Sequence, residues 1–270
     1  MGIEWREGAS ACQTTDMKGR ARKLWIAAGA VVGVLIVGAG AVLFAFRDRA
    51  TPVERDEIGV TLVTGGGQPG DPGLYAYTTT GFESTNALGG SRHDYPVQTF
   101  ITIQPGGCDS VVRWQALDQR WEQWDYCSDG NLVGWDVFNE WFGVSNLEEW
   151  VCAQPVKTIG DPGETWVAQC SVAGSQQVSG STEKSITYEV VGYETLTVGG
   201  EQVETLHIRI SNSSIGETTG SGTTDTWMVP GTQLFARKIA SGSSVTNTRI
   251  GKVEYHEELQ LDLISLQPGA

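Results

Sequence analysis

Apolar and polar positions follow two different patterns along the chain. Leu24 to Phe46 is an uninterrupted apolar run of 23 residues, bordered by Arg20, Arg22 and Lys23 on one side and Arg47 and Arg49 on the other. At about 1.5 Å per residue the run reaches roughly 34 Å, enough to cross a hydrocarbon core of about 30 Å. It is predicted to be one transmembrane helix. It outlasts the apolar region of a signal peptide, about 7 to 15 residues, and stays apolar from Val42 to Phe46, past the small-x-small site Ala39-Gly40-Ala41. From Gly73 onward no 3.6-residue apolar stripe is found. Short runs rich in Thr, Val, Tyr and Trp, separated by Gly pairs and Pro-Gly turns, predict an all-β domain. Residues 47–72 mix charge with Gly and Pro and read as a linker. The expected organisation is a tail at 1–23, the helix at 24–46, the linker at 47–72 and a β domain at 73–270. A polar loop near 174–182 marks a soft subdivision.

Within the β domain, Leu74 to Thr80 and Tyr95 to Gln104 are predicted as the first long strands, separated by the turn-rich NALGGSRHD. A hairpin with Cys108 facing Cys127 would set Trp114 opposite Trp121 and Arg113 opposite Glu122, both favoured cross-strand pairs. Cys152 facing Cys170 would pair Val156 with Trp166 and Trp150 with Val172, leaving Asp161-Pro162-Gly163 in the loop. Residues 132–142 would place Val133, Trp135, Val137 and Trp141 on one face and Phe138 and Phe142 on the other. Gly199-Gly200 closes a hairpin that matches Val191 with Ile208 and Tyr193 with Leu206, and Pro230-Gly231 closes another. In the last strand Val253, Tyr255, Leu259, Leu261 and Leu263 alternate with polar residues, so one face is covered and the other wet. Together these strands predict a curved antiparallel sheet, half-barrel or sandwich-like.

Charge and cysteines place this domain. From Arg47 onward there are 13 Lys and Arg against 29 Asp and Glu, a net charge of −16. Such a surface repels phosphate backbones, which excludes nucleic acid as a partner. Lys18, Arg20, Arg22 and Lys23 before the span, against Arg47, Arg49 and Arg55 after it, put the N-terminus on the cytoplasmic side of the cell membrane, with the chain crossing it once. Met17 is an alternative start. Cys108, Cys127, Cys152 and Cys170 all follow the span, an even set that predicts two disulfides in an oxidising, extracytoplasmic compartment. Local bridges Cys108–Cys127 and Cys152–Cys170 are the preferred connectivity, with the two crossed alternatives left open. No C-x2-4-C knuckle suits zinc, and Cys12 is expected to remain a free thiol. Gly29 and Gly33 give the span a small-residue stripe through which a homodimer could form.

Candidate chemistry is sparse. No G-x-S-x-G elbow is present, and His93, His207 and His256 are the three histidines, the first beside Asp94 in a turn and the others on strands. Asp125 to Asp136 echoes a calcium loop, but a cysteine occupies its third position. No catalytic residue, metal or cofactor is assigned. Six of the ten tryptophans lie between Trp114 and Trp150, and Trp114, Trp121, Trp135 and Trp141 are the candidate ligand-facing residues. Tryptophans on a sheet either stack on sugars, line an apolar groove or build an aromatic core.

From Ile186 to Leu266 a strand ending in GYETLTVGG, the return strand VETLHIRI, the segment TWMVPGTQLFARK and a long closing strand resemble the half-barrel sheets of periplasmic lipoprotein-localisation carriers. The first half, with GCDSVVRW and WDYC, resembles uncharacterised single-pass envelope proteins of high-GC Gram-positive bacteria. No amphipathic helix is present to serve as the carriers' lid. The expected function is a non-enzymatic, membrane-anchored module at the cell envelope that binds a lipid, a glycan or an envelope protein. A structural or assembly subunit acting through the span is the alternative, and a hydrolase the third reading.

Overall fold

A computed structural model describes residues 48–59, 67–173, 180–248 and 251–269. The predicted span at 24–46, the tail, Cys12 and the Gly29 and Gly33 stripe lie outside the described residues. Among those described, no helix is long and apolar enough to cross a membrane.

The described chain is all β. Its strands are β1 (Gly73–Thr85), β2 (Ser91–Asp94), β3 (Gln98–Gly106), β4 (Asp109–Leu117), β5 (Arg120–Tyr126), β6 (Leu132–Trp141), β7 (Val144–Cys152), β8 (Thr165–Ala173), β9 (Ser181–Val198), β10 (Glu201–Gly216), β11 (Thr218–Met228), β12 (Phe235–Thr248) and β13 (Gly251–Leu263). From β3 onward each strand pairs antiparallel with its sequence neighbour, and β1 pairs with β13. β2 and β3 lie end to end along the other edge of β1, so that twelve strand positions form a ring. The open half-barrel or sandwich expected from the sequence is therefore corrected to a closed barrel. Tyr77 to Thr85 pair with Leu263 to Tyr255, which satisfies the two backbone edges that an open sheet would leave bare.

Both local disulfides are formed, Cys108–Cys127 and Cys152–Cys170. The ladder between the first pair nevertheless runs one residue away from the expected register: Trp114 faces Glu122, and Arg113 faces Gln123. Both cysteines lie in the turns beyond the ladder, where they need not share its register. A one-residue slip exchanges the faces of the strand. At the second disulfide Cys152 faces Cys170 as expected, but the ladder stops there, and Val156 bridges Leu132 instead of Trp166. Tyr193 meets Leu206 as expected, whereas Val191 is bulged out and Ile208 meets Val190. A further irregularity pairs Tyr126 with Leu132, turning Leu132 inward and leaving Val133 exposed. NALGGSRHD is not all turn, because β2 brings His93 opposite Glu83. Replacing Cys152 and Cys170 by Ser, which opens a separation of 18 residues, should lower the unfolding midpoint of the full chain by roughly 10 °C. Circular dichroism melts of the two forms check this.

The segment read as linker is in part a strap. Pro52 bridges Leu117, Val53 is buried, and Ile58 covers the outer-face residues Leu74, Ala76 and Phe100. Inside the barrel, large side chains including Tyr75, Tyr77, Ile103, Leu206, Leu234 and Leu261 pack solidly.

Candidate functional site

Strand alternation sends every second side chain into the barrel. Eight strands leave an interior that side chains just fill, and twelve positions leave room. A cavity of about 390 Å³ lies among the inward side chains of β5 to β13. Its lining changes character in one direction. On β10 it runs Ile208, Ile210, Asn212, Ser214, while on the antiparallel β9 it runs Thr182, Lys184, Ile186, Tyr188. On β7 it runs Asn146, Glu148, Trp150, and on β11 Thr218, Gly220, Gly222, Thr224, Thr226, Met228. Because neighbouring strands point oppositely, these reversed orders place apolar residues toward one end of the lumen and small polar ones toward the other.

The polar side of the lumen contains a buried ionic network. Arg120 is 1% exposed and donates from Nε to Glu257 Oε1 at 3.1 Å, from Nη2 to the same oxygen at 2.9 Å and to Glu122 Oε1, and from Nη1 to the Trp121 carbonyl at 2.9 Å. Lys238 donates to the other Glu122 oxygen at 3.1 Å, and the Tyr95 hydroxyl donates to Glu257. Burial works to raise the Glu122 carboxyl, but the Lys238 ammonium and Arg120 guanidinium outweigh it and hold it well below the usual range.

A second branch joins this network through Glu83. Tyr255 donates to Glu83 Oε2 at 3.0 Å, His93 Nδ1 lies 2.8 Å from Glu83 Oε1, and His93 Nε2 lies 2.8 Å from Asp48 Oδ2. The His93 ring is stacked on Trp141 at 4.0 Å, and Asp48 also accepts the Phe142 amide at 2.8 Å. Burial pushes the imidazole down, but Glu83 and Asp48, one on each ring nitrogen, bring its pKa above the ordinary histidine value. Burial raises Glu83 despite His93 and Arg120.

The four tryptophans singled out from the sequence separate. Trp135 and Trp141 line the cavity. Trp114 also points inward but is fully buried, donating to Thr99 at 3.0 Å beneath the Arg120 guanidinium. Trp121 stacks against Phe138 at a ring separation of 5.4 Å, with the Arg113 guanidinium over its ring. That Trp114 and Trp121 stand on opposite faces follows from the one-residue register slip. Sequence reasoning missed Arg120 and Glu122 as lumen residues. Their signal was parity: in RWEQWDY they share the face of Trp124 and Tyr126.

Another histidine cluster lies on β9 to β11. His207 is 2.8 Å from Glu194 Oε1 and 2.7 Å from Asp225 Oδ1, and stacks on Trp227 at 4.2 Å. It links three strands by cross-strand bonds. Among the described residues no group of three or more His, Cys, Asp or Glu side chains could hold a metal ion.

Fold and site together define a closed antiparallel β-barrel with an amphipathic, charge-lined internal cavity. No family model matches the chain, and neither does any curated protein. Solved structures similar to it include two bacterial proteins. The hypothetical lipoprotein YmcC from Escherichia coli (K12) is 15% identical, with 67% of this chain and 85% of that one covered at a TM-score of 0.33. A candidate lipoprotein from Parabacteroides distasonis ATCC 8503 is 10% identical, with 71% and 95% covered at a TM-score of 0.29.

Proposed function

We propose that this chain is a membrane-anchored, extracytoplasmic binding protein that holds an amphiphilic molecule in its barrel lumen and performs no chemistry on it. The observation that carries this reading is the polarity gradient of the cavity wall, apolar to polar in the same spatial direction on β7, β9, β10 and β11. An amphiphile is the ligand whose two ends match such a wall. The volume lies in the range of ligand pockets, about 300 to 1,000 Å³.

Two further features support the setting. The disulfides suit an oxidising compartment. The outer wall carries ion pairs, Arg209 with Asp225 at 3.1 Å and Arg237 with Asp262 at 2.5 Å, whereas a barrel spanning a bilayer turns an apolar band outward. These pairs support a barrel standing in water, with the apolar run at 24–46 as its anchor.

The test uses the full chain held in amphipol and the methyl ester of cis-parinaric acid, a neutral fluorescent amphiphile. Saturable binding with energy transfer from tryptophan is expected. Ala240→Trp, which projects an indole into the cavity from β12, should abolish it. Absence of binding, or binding unchanged by the substitution, counts against a lumen site.

A further inference from the structure

Lys184 on β9 is the cation of the cavity wall that the ionic network does not use. Its ammonium lies against two indole faces, 4.3 Å from the ring centre of Trp135 and 3.8 Å from that of Trp150. Those rings face each other across β6 and β7 and stack at 5.5 Å. The Lys184 ammonium makes no hydrogen bond or ion pair with any described residue. The acid that acts most strongly on it is engaged elsewhere: Glu148 accepts from Trp150 Nε1 at 3.1 Å and from Asn146 Nδ2 at 3.4 Å. In the same wall Trp135 Nε1 is buried without a hydrogen-bond partner. Two donors therefore stand in one wall without an acceptor among the described residues. For the buried Trp135 N–H that condition is costly and an incoming acceptor recovers the cost, while the half-buried Lys184 ammonium would gain a charge-assisted partner.

Position adds a second constraint. Lys184 marks the point on β9 where the lining turns from Tyr188 and Ile186 to Thr182. A head group placed there would leave a tail along the apolar rows formed by Ile186, Tyr188, Ile208 and Met228. Charge adds a third. Glu148 and Glu122 face this region on β7 and β5, and Lys238 on β12 is already spent on Glu122. One free cation beside carboxylates accommodates a single negative charge better than two.

We infer that Lys184, assisted by Trp135 Nε1, is the recognition point for the head of a long-chain carboxylate whose tail occupies the apolar side of the lumen. This rests on the lumen-binding reading and names its ligand class. The aromatic contacts hold the ammonium in place, and the carboxylate gives it a charge-assisted bond. Burial lowers the Lys184 pKa to about 8, against the upward pull of Glu148 and Glu122. The ammonium is present below that pH, so carboxylate binding is favoured there and weakens as pH rises above it.

The experiment compares cis-parinaric acid with its methyl ester on the full chain in amphipol, read by energy transfer from tryptophan. At pH 7 the acid should bind at least about tenfold more tightly than the ester, the scale of one hydrogen bond to a charged group. Lys184→Met should reduce the acid to the affinity of the ester and leave the ester unchanged, and Lys184→Arg should keep the preference. Glu148→Gln should tighten the acid several-fold. The advantage of the acid should shrink between pH 8 and 10, with no such trend for the ester. Equal binding of acid and ester, or a preference that survives Lys184→Met, overturns the head-group assignment while leaving the lumen site standing. Failure of both probes overturns the two readings together.

Discussion

Replacing Arg120 by Met should lower the unfolding midpoint of the full chain by roughly 10 °C or more, the largest effect expected from any change in the lumen. Removing one partner of a buried ion pair costs about 3 to 5 kcal/mol, and a chain of this size loses about 2 to 4 °C per kcal/mol. Arg120 is the single cation between Glu257 and Glu122, and its Nε also lies 3.6 Å from Glu83. Without it those carboxylates face one another in a wall that Lys238 alone cannot neutralise. Methionine keeps most of the side-chain volume, so the loss reports charge rather than a void.

The pH dependence gives that prediction a second readout. In the unaltered chain Glu122 is held below the usual carboxylate range. Its contribution is therefore complete above the unfolded pKa, near 4, and is lost only as pH falls toward the folded value. In Arg120→Met the stranded carboxyls take up protons more readily folded than unfolded, so stability should rise as pH falls from 8 to 5. Thermal melts across that range decide the matter. A parallel pH profile in the two proteins would show that Arg120 acts through packing instead. Glu257→Gln in the Arg120→Met background should recover part of the loss, because the two positions share one interaction.

Gly81→Val should open the barrel seam and destabilise the chain by on the order of 4 kcal/mol, at the upper limit of single substitutions. Gly81 lies on β1 with φ at +132°, and a Cβ there would stand 2.0 Å from the Glu258 carbonyl oxygen and 2.9 Å from the Leu259 Cα on β13. Both obstacles are backbone, so no side-chain rotation relieves them. The seam must separate, and with it Tyr255 and Glu257, which bring β13 into the ionic network. Hydrogen exchange should show faster exchange at residues 82–85 and 255–258, with β4 to β8 keeping their protection. Unchanged protection at the seam would mean that β1 and β13 do not depend on the close approach at Gly81.

The closing strand, the turns at Gly199-Gly200 and Pro230-Gly231 and both disulfides were legible in the sequence, because each depends on residues fewer than about twenty positions apart. Parity was legible only between irregularities. The ladder shifts at Gln115 to Leu117, at Asp125 to Tyr126 and at His207 to Ile208. Each shift moves the following side chains to the other face, and an extra residue in a strand leaves no compositional mark. Trp114 and Trp121 were read as a facing pair for a different reason: the cysteines that anchored the expected register lie beyond the ladder and do not share it. The same slip hid Arg120 and Glu122, two charged residues on a face otherwise made of Trp124 and Tyr126.

The acidic all-β domain, its main hairpins and the inward face of β13 could be read from the chain, with local bridges as the preferred pairing of the four cysteines, because nearest-neighbour pairing and two-residue alternation are local properties. Closure of the sheet and the polarity gradient down the lumen arise only in the folded barrel. The barrel also joins Arg120 to Glu257, 137 positions away, and Glu83 to Tyr255, 172 positions away. The physical reason is common to all three. Closure is a pairing between two edges that look alike in sequence, and only once it fixes the ring do side chains from distant strands face the same enclosed space.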